Sequence, residues 1–289
     1  MTLRLVCGLT TPDVARAFLV PGPTMAARIT RAKHKITKAH IPYQVPSAAQ
    51  LPERVHAVLE VVHLVFTTGH TAPSGAGLLR RDLTERAPDL ARMLRQLLPA
   101  HHEVAALLSL ILLTDARRDA RVDSTGKLVL LADQDRSRWD QDAIGAGIGL
   151  LREALTHRTP SRFALMAAIA AVHDEARTWE DTDWPEIRGL YDLLLATWPS
   201  PVVAMNRAVA TSFAIGPAEG LAELERLALE PMLARYGYLA AARGDVLRRL
   251  GRDADAIAAY EEAVLLTENG TEREFLVRAL DRLKEPGPA

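Results

Sequence analysis

Arg243-Gly244-Asp245-Val246-Leu247-Arg248-Arg249-Leu250-Gly251-Arg252-Asp253-Ala254-Asp255-Ala256-Ile257-Ala258-Ala259-Tyr260-Glu261-Glu262-Ala263 sets the architecture of this chain. Gly244, Leu247, Gly251, Ala256, Tyr260 and Ala263 are spaced as in two short antiparallel helices, where small residues let the backbones approach and an aromatic ring fills the gap between neighbouring pairs. Two weaker copies precede it. Ala208, Gly216, Gly220, Leu224 and Leu227 repeat the pattern about 36 residues earlier, and Ile187, Tyr191, Leu194 and Pro199 suggest a third. A stacked helical superhelix over about 165–285 is therefore expected, with an ordinary helical bundle of fortuitous spacing as the alternative.

The spacing is that of a tetratricopeptide repeat, and helical periodicity extends well upstream of it. From Leu51 onward the apolar residues recur at three- and four-residue intervals in the windows 52–68, 75–86, 89–98, 101–118, 138–157, 161–179, 184–197, 200–215, 218–229, 234–250, 254–267 and 271–284. The exception is 121–131. There Asp123-Ser124-Thr125-Gly126 is a turn sequence and Lys127 to Leu131 is short and apolar enough to be extended, giving at most one small β-hairpin in an all-α protein. Pro42, Pro46 and Pro52 frame a segment that cannot be helical, so 42–50 is expected to be a semi-rigid linker between an N-terminal module, 1–41, and a helical extension, 51–289.

Charge divides along the same boundary. The 289 residues sum to −1, but residues 1–41 hold seven Lys or Arg against one acidic residue, Asp13, while the remainder is net acidic. Only the N-terminal part invites nucleic acid. Cys7 is the one cysteine, so neither a disulfide framework nor a cysteine-based metal site is expected. The longest apolar run, Val104 to Leu113, is about half the ~20 residues of a membrane-crossing helix, and no signal peptide is read at the N-terminus; a soluble, cytoplasmic protein is expected.

Within the basic part, Thr10 to Lys38 reads as two helices and a turn. Thr10-Thr11-Pro12-Asp13 is a helix start, and Val14, Ala17 and Phe18 give that helix an apolar face. Leu19-Val20-Pro21-Gly22-Pro23 interrupts it. The helix opening at Thr24 then carries Arg28, Arg31, Lys33, Lys35 and Lys38, with Met25, Ile29, Ala32 and Ile36 facing inward. This is the outline of a helix-turn-helix.

The extension holds a second unusual stretch, Asp133-Gln134-Asp135-Arg136-Ser137-Arg138-Trp139-Asp140. Seven of its eight residues are polar, and it sits between apolar segments where a plain surface loop would rarely use Trp. Asp115, Arg117, Arg118, Asp119 and Arg121 lie just before it, and a folded-back hairpin would join both groups. The expected role is a structural hub with Trp139 packed at its centre, or a regulatory site for a peptide or small ligand, formed by Asp115, Arg117, Arg118, Asp133, Asp135, Arg136, Arg138, Trp139 and Asp140.

No enzyme is read from the sequence. Glu60 and His63 form half of a di-iron motif without its second half, His101-His102-Glu103 suits a solvated helix start, and no catalytic triad or phosphate-cradling glycine loop can be assembled. No cofactor and no metal are expected.

Gly8-Leu9-Thr10, Asp13-Val14-Ala15, Val20-Pro21-Gly22-Pro23-Thr24-Met25 and Arg28-Ile29-Thr30-Arg31-Ala32-Lys33 closely resemble region 4 of extracytoplasmic-function sigma factors of the sigma-70 family. With Val62-His63-Leu64-Val65-Phe66, Asp115 to Arg118, Asp133 to Asp140 and Pro201 to Ala210, the whole chain resembles the group with a long tetratricopeptide-like C-terminal extension. It departs from that group at Ala26-Ala27 and at Thr67-Thr68-Gly69-His70. The resemblance implies a transcription-initiation factor whose second helix reads the −35 promoter element, with Thr24, Arg28 and Arg31 facing the bases and Lys33 and Lys35 nearer the phosphates. Promoter DNA and the RNA polymerase core are the implied partners, and a regulatory protein or peptide would bind the extension. It also implies that region 2 and the first helices of region 4 are missing here, so that this chain alone would not open a promoter. Leu3, Leu5, Val14, Phe18 and Ile29 should then dock on the C-terminal helices, partly masking Arg28 and Arg31. The other function considered is a tetratricopeptide-like scaffold for protein partners, without DNA binding.

Overall fold

The computed structural model describes residues 1–40, 51–72 and 74–285; the expected linker at 42–50 lies outside them. The described residues are all-α. Three helices form the N-terminal part, α1 (Thr2–Leu5), α2 (Thr11–Ala17) and α3 (Gly22–Lys38). The extension continues with α4 (Leu51–His70), α5 (Arg81–Leu97), α6 (His102–Asp115), α7 (Gln141–Leu155), α8 (Arg162–Glu175), α9 (Trp184–Thr197) and α10 (Pro201–Ala214). It ends with α11 (Pro217–Leu227), α12 (Gly237–Arg249), α13 (Asp253–Leu266) and α14 (Gly270–Lys284). None of these is long and apolar enough to cross a membrane.

Local chemistry fixes most helix starts. Asp140, Ser161, Asp183 and Asn269 each accept the backbone N–H three residues on, satisfying one of the donors a helix leaves unpaired at its beginning. Pro201 and Pro217 open α10 and α11, where a missing N–H costs nothing. The long apolar run becomes α6, buried on every side from Val104 to Ile111 and packed by α4, α5, α7 and α8. A helix without a polar face has to be central.

Downstream of α8 each helix packs chiefly on its sequence neighbours, the arrangement of a stacked helical superhelix. The small residues sit where the repeat pattern requires them. A Cβ on Gly244 would lie 2.9 Å from the ring of Tyr260, and one on Gly220 would lie 2.4 Å from the Ser212 Cβ and 2.8 Å from its Cα. Tyr260, Ala256 and Ala263 are buried between α12, α13 and α14, and Ala208 and Leu224 between α10 and α11.

One expectation is corrected and another takes its smallest form. The windows 75–86 and 89–98 are not two helices: residues 74–80 form a loop, and α5 runs unbroken through Pro88. Proline inside a helix costs ~3 kcal/mol, and burial of Leu83, Ala87, Pro88 and Ala91 offsets it. The hairpin at 121–131 shrinks to one antiparallel bridge between Val122 and Leu128, closed by Asp123 accepting from the Thr125 and Lys127 amides.

The loop after α4 is held from the far end of the chain. Asn269 Nδ2 donates to the carbonyls of Ala72 (2.9 Å) and Gly77 (2.8 Å), Thr271 Oγ1 donates to Ala76 (2.8 Å), and the Gly270 N–H donates to Gly75 (2.8 Å). The last helix therefore fastens the first loop of the extension, and the helical array closes on itself.

Candidate nucleic-acid interface and polar hub

Helix α2 starts with a capping box: Asp13 N–H donates to Thr10 Oγ1 (3.2 Å) and Thr10 N–H donates to Asp13 Oδ2 (3.0 Å). It ends in a turn built on Leu19, whose φ of 49° lets the Val20 N–H reach back to the Ala15 carbonyl. Pro21, Gly22 and Pro23 then start α3 in a new direction, and the two helices pack together as a helix-turn-helix.

Thr24, Arg28, Arg31, Lys33 and Lys35 are all exposed. Met25 is buried and Ile29 and Ala32 are half-buried, which defines the inward side of α3. At 3.6 residues per turn the side directly opposite carries Ala27, Thr30, Arg31 and His34. Lys33 falls on one flank, Arg28 and Lys35 on the other, and Thr24 lies between that flank and Arg31. A groove inserted over this helix would meet Arg31 at its floor and Lys33 and Lys35 at its two walls. Arg28 is closer to a wall than its motif position implies.

The expected docking of the apolar N-terminal residues is realised in part. Leu3, Cys7, Leu9, Val14, Ala15 and Met25 join the same core as α4 to α8, with Ile29 packed at its edge, while Leu5 (56% exposed) and Phe18 (47%) stay in solvent. The masking of Arg28 and Arg31 does not occur: both are exposed, and α3 packs chiefly on α2, reaching the core of α4 to α8 through Met25 and Ile29. Two ion pairs fix the seat. Asp13, almost fully buried, accepts from Arg80 Nη1 at 3.1 Å, and Arg16 pairs with Glu268.

The hub forms, with different partners from those expected. Trp139 is 3% exposed, with the Arg136 guanidinium 4.5 Å and that of Arg117 5.9 Å from its ring centre. Arg136 Nη1 donates to the His173 and Ala176 carbonyls at 2.7 Å each, and Arg117 Nε lies 3.5 Å from Asp174 Oδ1. Asp115 takes Arg118, with Nε to Oδ1 at 2.8 Å.

The remaining acidic residues are not in that network, which corrects the expected assembly. Asp135 accepts from Ser137 and Asp140 from Ala143, each capping its own short turn or helix. Arg138 donates to the Asp119 carbonyl, and Asp133 is exposed without a side-chain partner among the described residues. A carboxylate with a helix amide three residues away is satisfied locally. Asp174 and His173, on α8, are the members that sequence reasoning missed.

Burial dominates the electrostatics here. It pushes the Asp174 carboxyl up to about 7 against the opposing pull of Arg117 and Arg136. It pulls the His173 imidazole down to about 3, helped by the same two arginines. Trp139 Nε1, Arg136 Nη2, His173 Nδ1 and both Asp174 oxygens are buried without a hydrogen-bond partner, a concentration of unsatisfied polar atoms that ordered water can fill.

The residues raised as metal ligands have other partners. Glu60 pairs with Arg162, and the His63 ring stands edge-on to Phe163 at 5.4 Å. His102 stacks on His157 at 3.9 Å. No group of three metal-binding side chains converges among the described residues.

Residues 54–155, from within α4 to the end of α7 and including Arg117, Arg136 and Trp139 of the hub but not His173 or Asp174, match the model of DUF6596, a family of unknown function. The chain is similar to "Uncharacterized protein R00370" of Rhizobium meliloti (strain 1021), at 41% identity over 283 residues and 98% of this chain. It spans 66% of the length of that relative.

Proposed function

We propose that this chain acts in transcription initiation as an extracytoplasmic-function sigma factor, reading the −35 promoter element through α3, and that the helical extension regulates it. The observation that supports this best is α3: a basic helix, second in a helix-turn-helix, whose face opposite the core is free of every other described element. The phosphate-facing lysines on both flanks supply affinity, and Arg31 supplies base recognition through a bidentate guanidinium. Regulation is supported by the ion pairs that tie α2 to Arg80 and Glu268, both beside the junction where the array closes. Fluorescence anisotropy with a duplex selected from a random pool, against a scrambled duplex, tests the reading. Preferential binding that weakens steeply with salt is expected. Equal affinity for both duplexes, or none for either at low salt, refutes it.

The rival function is a helical scaffold for protein partners in which α1 to α3 merely pack on the rest. The buried Asp13–Arg80 pair favours it, since such a contact suits a structural cap as well as a regulated reader. Copurification of a protein partner by a chain with no DNA affinity is its expected signature.

A further inference from the structure

Closure of the array borders an open pocket of about 410 Å³. Its wall is assembled from places far apart in sequence: the end of α4, the segment 117–134, α10, and the starts of α12 and α14. Two guanidinium groups, Arg117 and Arg121, face it together with one carboxylate, Glu272.

Arg117 Nε lies 3.5 Å from Asp174 Oδ1, but Arg121 has no such partner among the described residues. Arg121 spends its donors on neutral acceptors, Nη1 on the His70 carbonyl and Nη2 on Thr71 Oγ1 at 3.1 Å, and no described carboxylate lies within ion-pair distance. Burial consequently pulls its pKa down to about 10, with Arg117 pushing in the same direction. Glu272 is already engaged, accepting from the Tyr238 hydroxyl at 2.7 Å. His70, held neutral by burial and the surrounding arginines, brings no compensating charge. With Arg117 paired to Asp174 and Glu272 bonded to Tyr238, Arg121 is a guanidinium of this wall with no carboxylate partner among the described residues, and such a partly buried cation favours a bound counter-charge.

The rest of the lining narrows the ligand. Leu128, Val129, Leu131 and Met205 give apolar surface, whereas Asn206 and the orphaned Oε1 of Gln134 are polar groups with unused capacity. The volume is that of a small-molecule site. A single negative charge suits the one guanidinium without a carboxylate partner, and a phosphate dianion would be repelled by Glu272. We propose that this pocket binds a small-molecule carboxylate, its acid group on Arg121 and its apolar body against Leu128, Val129, Leu131 and Met205. The site is independent of the DNA reading, because it is defined by binding to the extension alone.

Isothermal titration and thermal denaturation of the full chain test it, with benzoate and 3-phenylpropionate as probes, benzamide as the uncharged isostere, and inorganic phosphate. At least one carboxylate should bind saturably and raise Tm, with benzamide at least tenfold weaker. Arg121→Gln should lose at least tenfold in carboxylate affinity, while Arg138→Gln, outside the pocket, should lose nothing. Asn206→Trp, which narrows the space and spares the Arg121 guanidinium, should weaken binding in a chain of unchanged far-UV circular dichroism, so the test survives a misfolded Arg121 variant. Failure of both carboxylates to saturate, equal binding of benzamide, tighter binding of phosphate, or affinity that persists in both folded pocket variants overturns the proposal.

Discussion

Replacing one glycine by alanine at two positions should shift stability in opposite directions. Gly220 sits where α10 and α11 approach most closely, and its added Cβ would lie 2.4 Å from the Ser212 Cβ, 2.8 Å from its Cα and 2.9 Å from its N. Two of these atoms are backbone, so no rotamer change relieves them. The helices must separate by roughly 1 Å to restore normal carbon contacts near 3.5 Å. That movement also disturbs Arg249, whose Nη1 and Nη2 donate to Ser212 Oγ (2.9 Å) and its carbonyl (2.7 Å). Overpacking costs ~1–3 kcal/mol and the gain in helix propensity returns up to ~1, so Gly220→Ala should destabilise by about 2 kcal/mol. Gly189 is an exposed glycine within α9, and a Cβ there meets nothing within 4 Å. Gly189→Ala should therefore stabilise by ~0.5–1 kcal/mol. Urea unfolding followed by far-UV circular dichroism measures both. Equal shifts, or a Gly220→Ala variant as stable as the parent, would refute close backbone approach as the basis of this superhelix.

Arg31→Ala should cost ~1–3 kcal/mol in discrimination between selected and scrambled duplexes, whereas Lys33→Ala and Lys35→Ala should weaken binding to both alike and lower the salt slope by about one, all read by anisotropy. Trp139→Ala should cost ~3 kcal/mol or more, seen as a lower urea midpoint, because the ring is buried under two guanidinium groups. The pH dependence of Asp174→Asn provides another check. A carboxyl raised to about 7 in the folded state holds its proton there between pH 4 and 7 while the unfolded chain releases it, so this group loses stability as pH rises through that window. Relative to the parent, Asp174→Asn should gain on the order of a few kcal/mol between pH 4 and pH 8. A pH-independent difference would show that Asp174 is ionised throughout.

What the sequence made legible was local or periodic. Gly244 and Tyr260 announced a helix pair because a small residue and a ring at fixed spacing have one packing solution, and Val104 to Leu113 announced a central helix by lacking any polar face. Pro88 misled, since its intrinsic cost is local and the burial that offsets it comes from α4. The hub illustrates the same limit. Trp139 was legible as an anchor, but Asp133, Asp135 and Asp140 looked like ion-pair partners when two of the three serve neighbouring amides. Asp174 ends a long apolar run on α8, and an ionisable pair in that position was the available signal. Arg121, Asn206, Tyr238 and Glu272 meet only because Asn269 closes the array across 197 residues. No windowed pattern carries a contact of that separation.

The stretch from Glu268 to Glu272 limits the kind of regulation that the proposed function could use. Glu268 pairs with Arg16 of the proposed DNA reader, α1 to α3, Asn269 to Thr271 lock the loop that leads to Arg80, and Glu272 lines the pocket. Five consecutive residues thus touch the reader, the closure and the proposed ligand site, and Arg80 returns to the reader through Asp13. The Arg16–Glu268 pair is one-third to two-thirds exposed, and such pairs contribute at most ~1 kcal/mol. The Asp13–Arg80 pair is better shielded, and losing one buried partner costs more, ~1–3 kcal/mol for the group left unsatisfied. A signal passing through these two links can therefore shift the seating of α2 by only a few kcal/mol. Under the proposed function that range corresponds to a change in promoter affinity of about 5- to 150-fold, a graded adjustment of a helix whose basic face is already exposed rather than its release from a fully masked state.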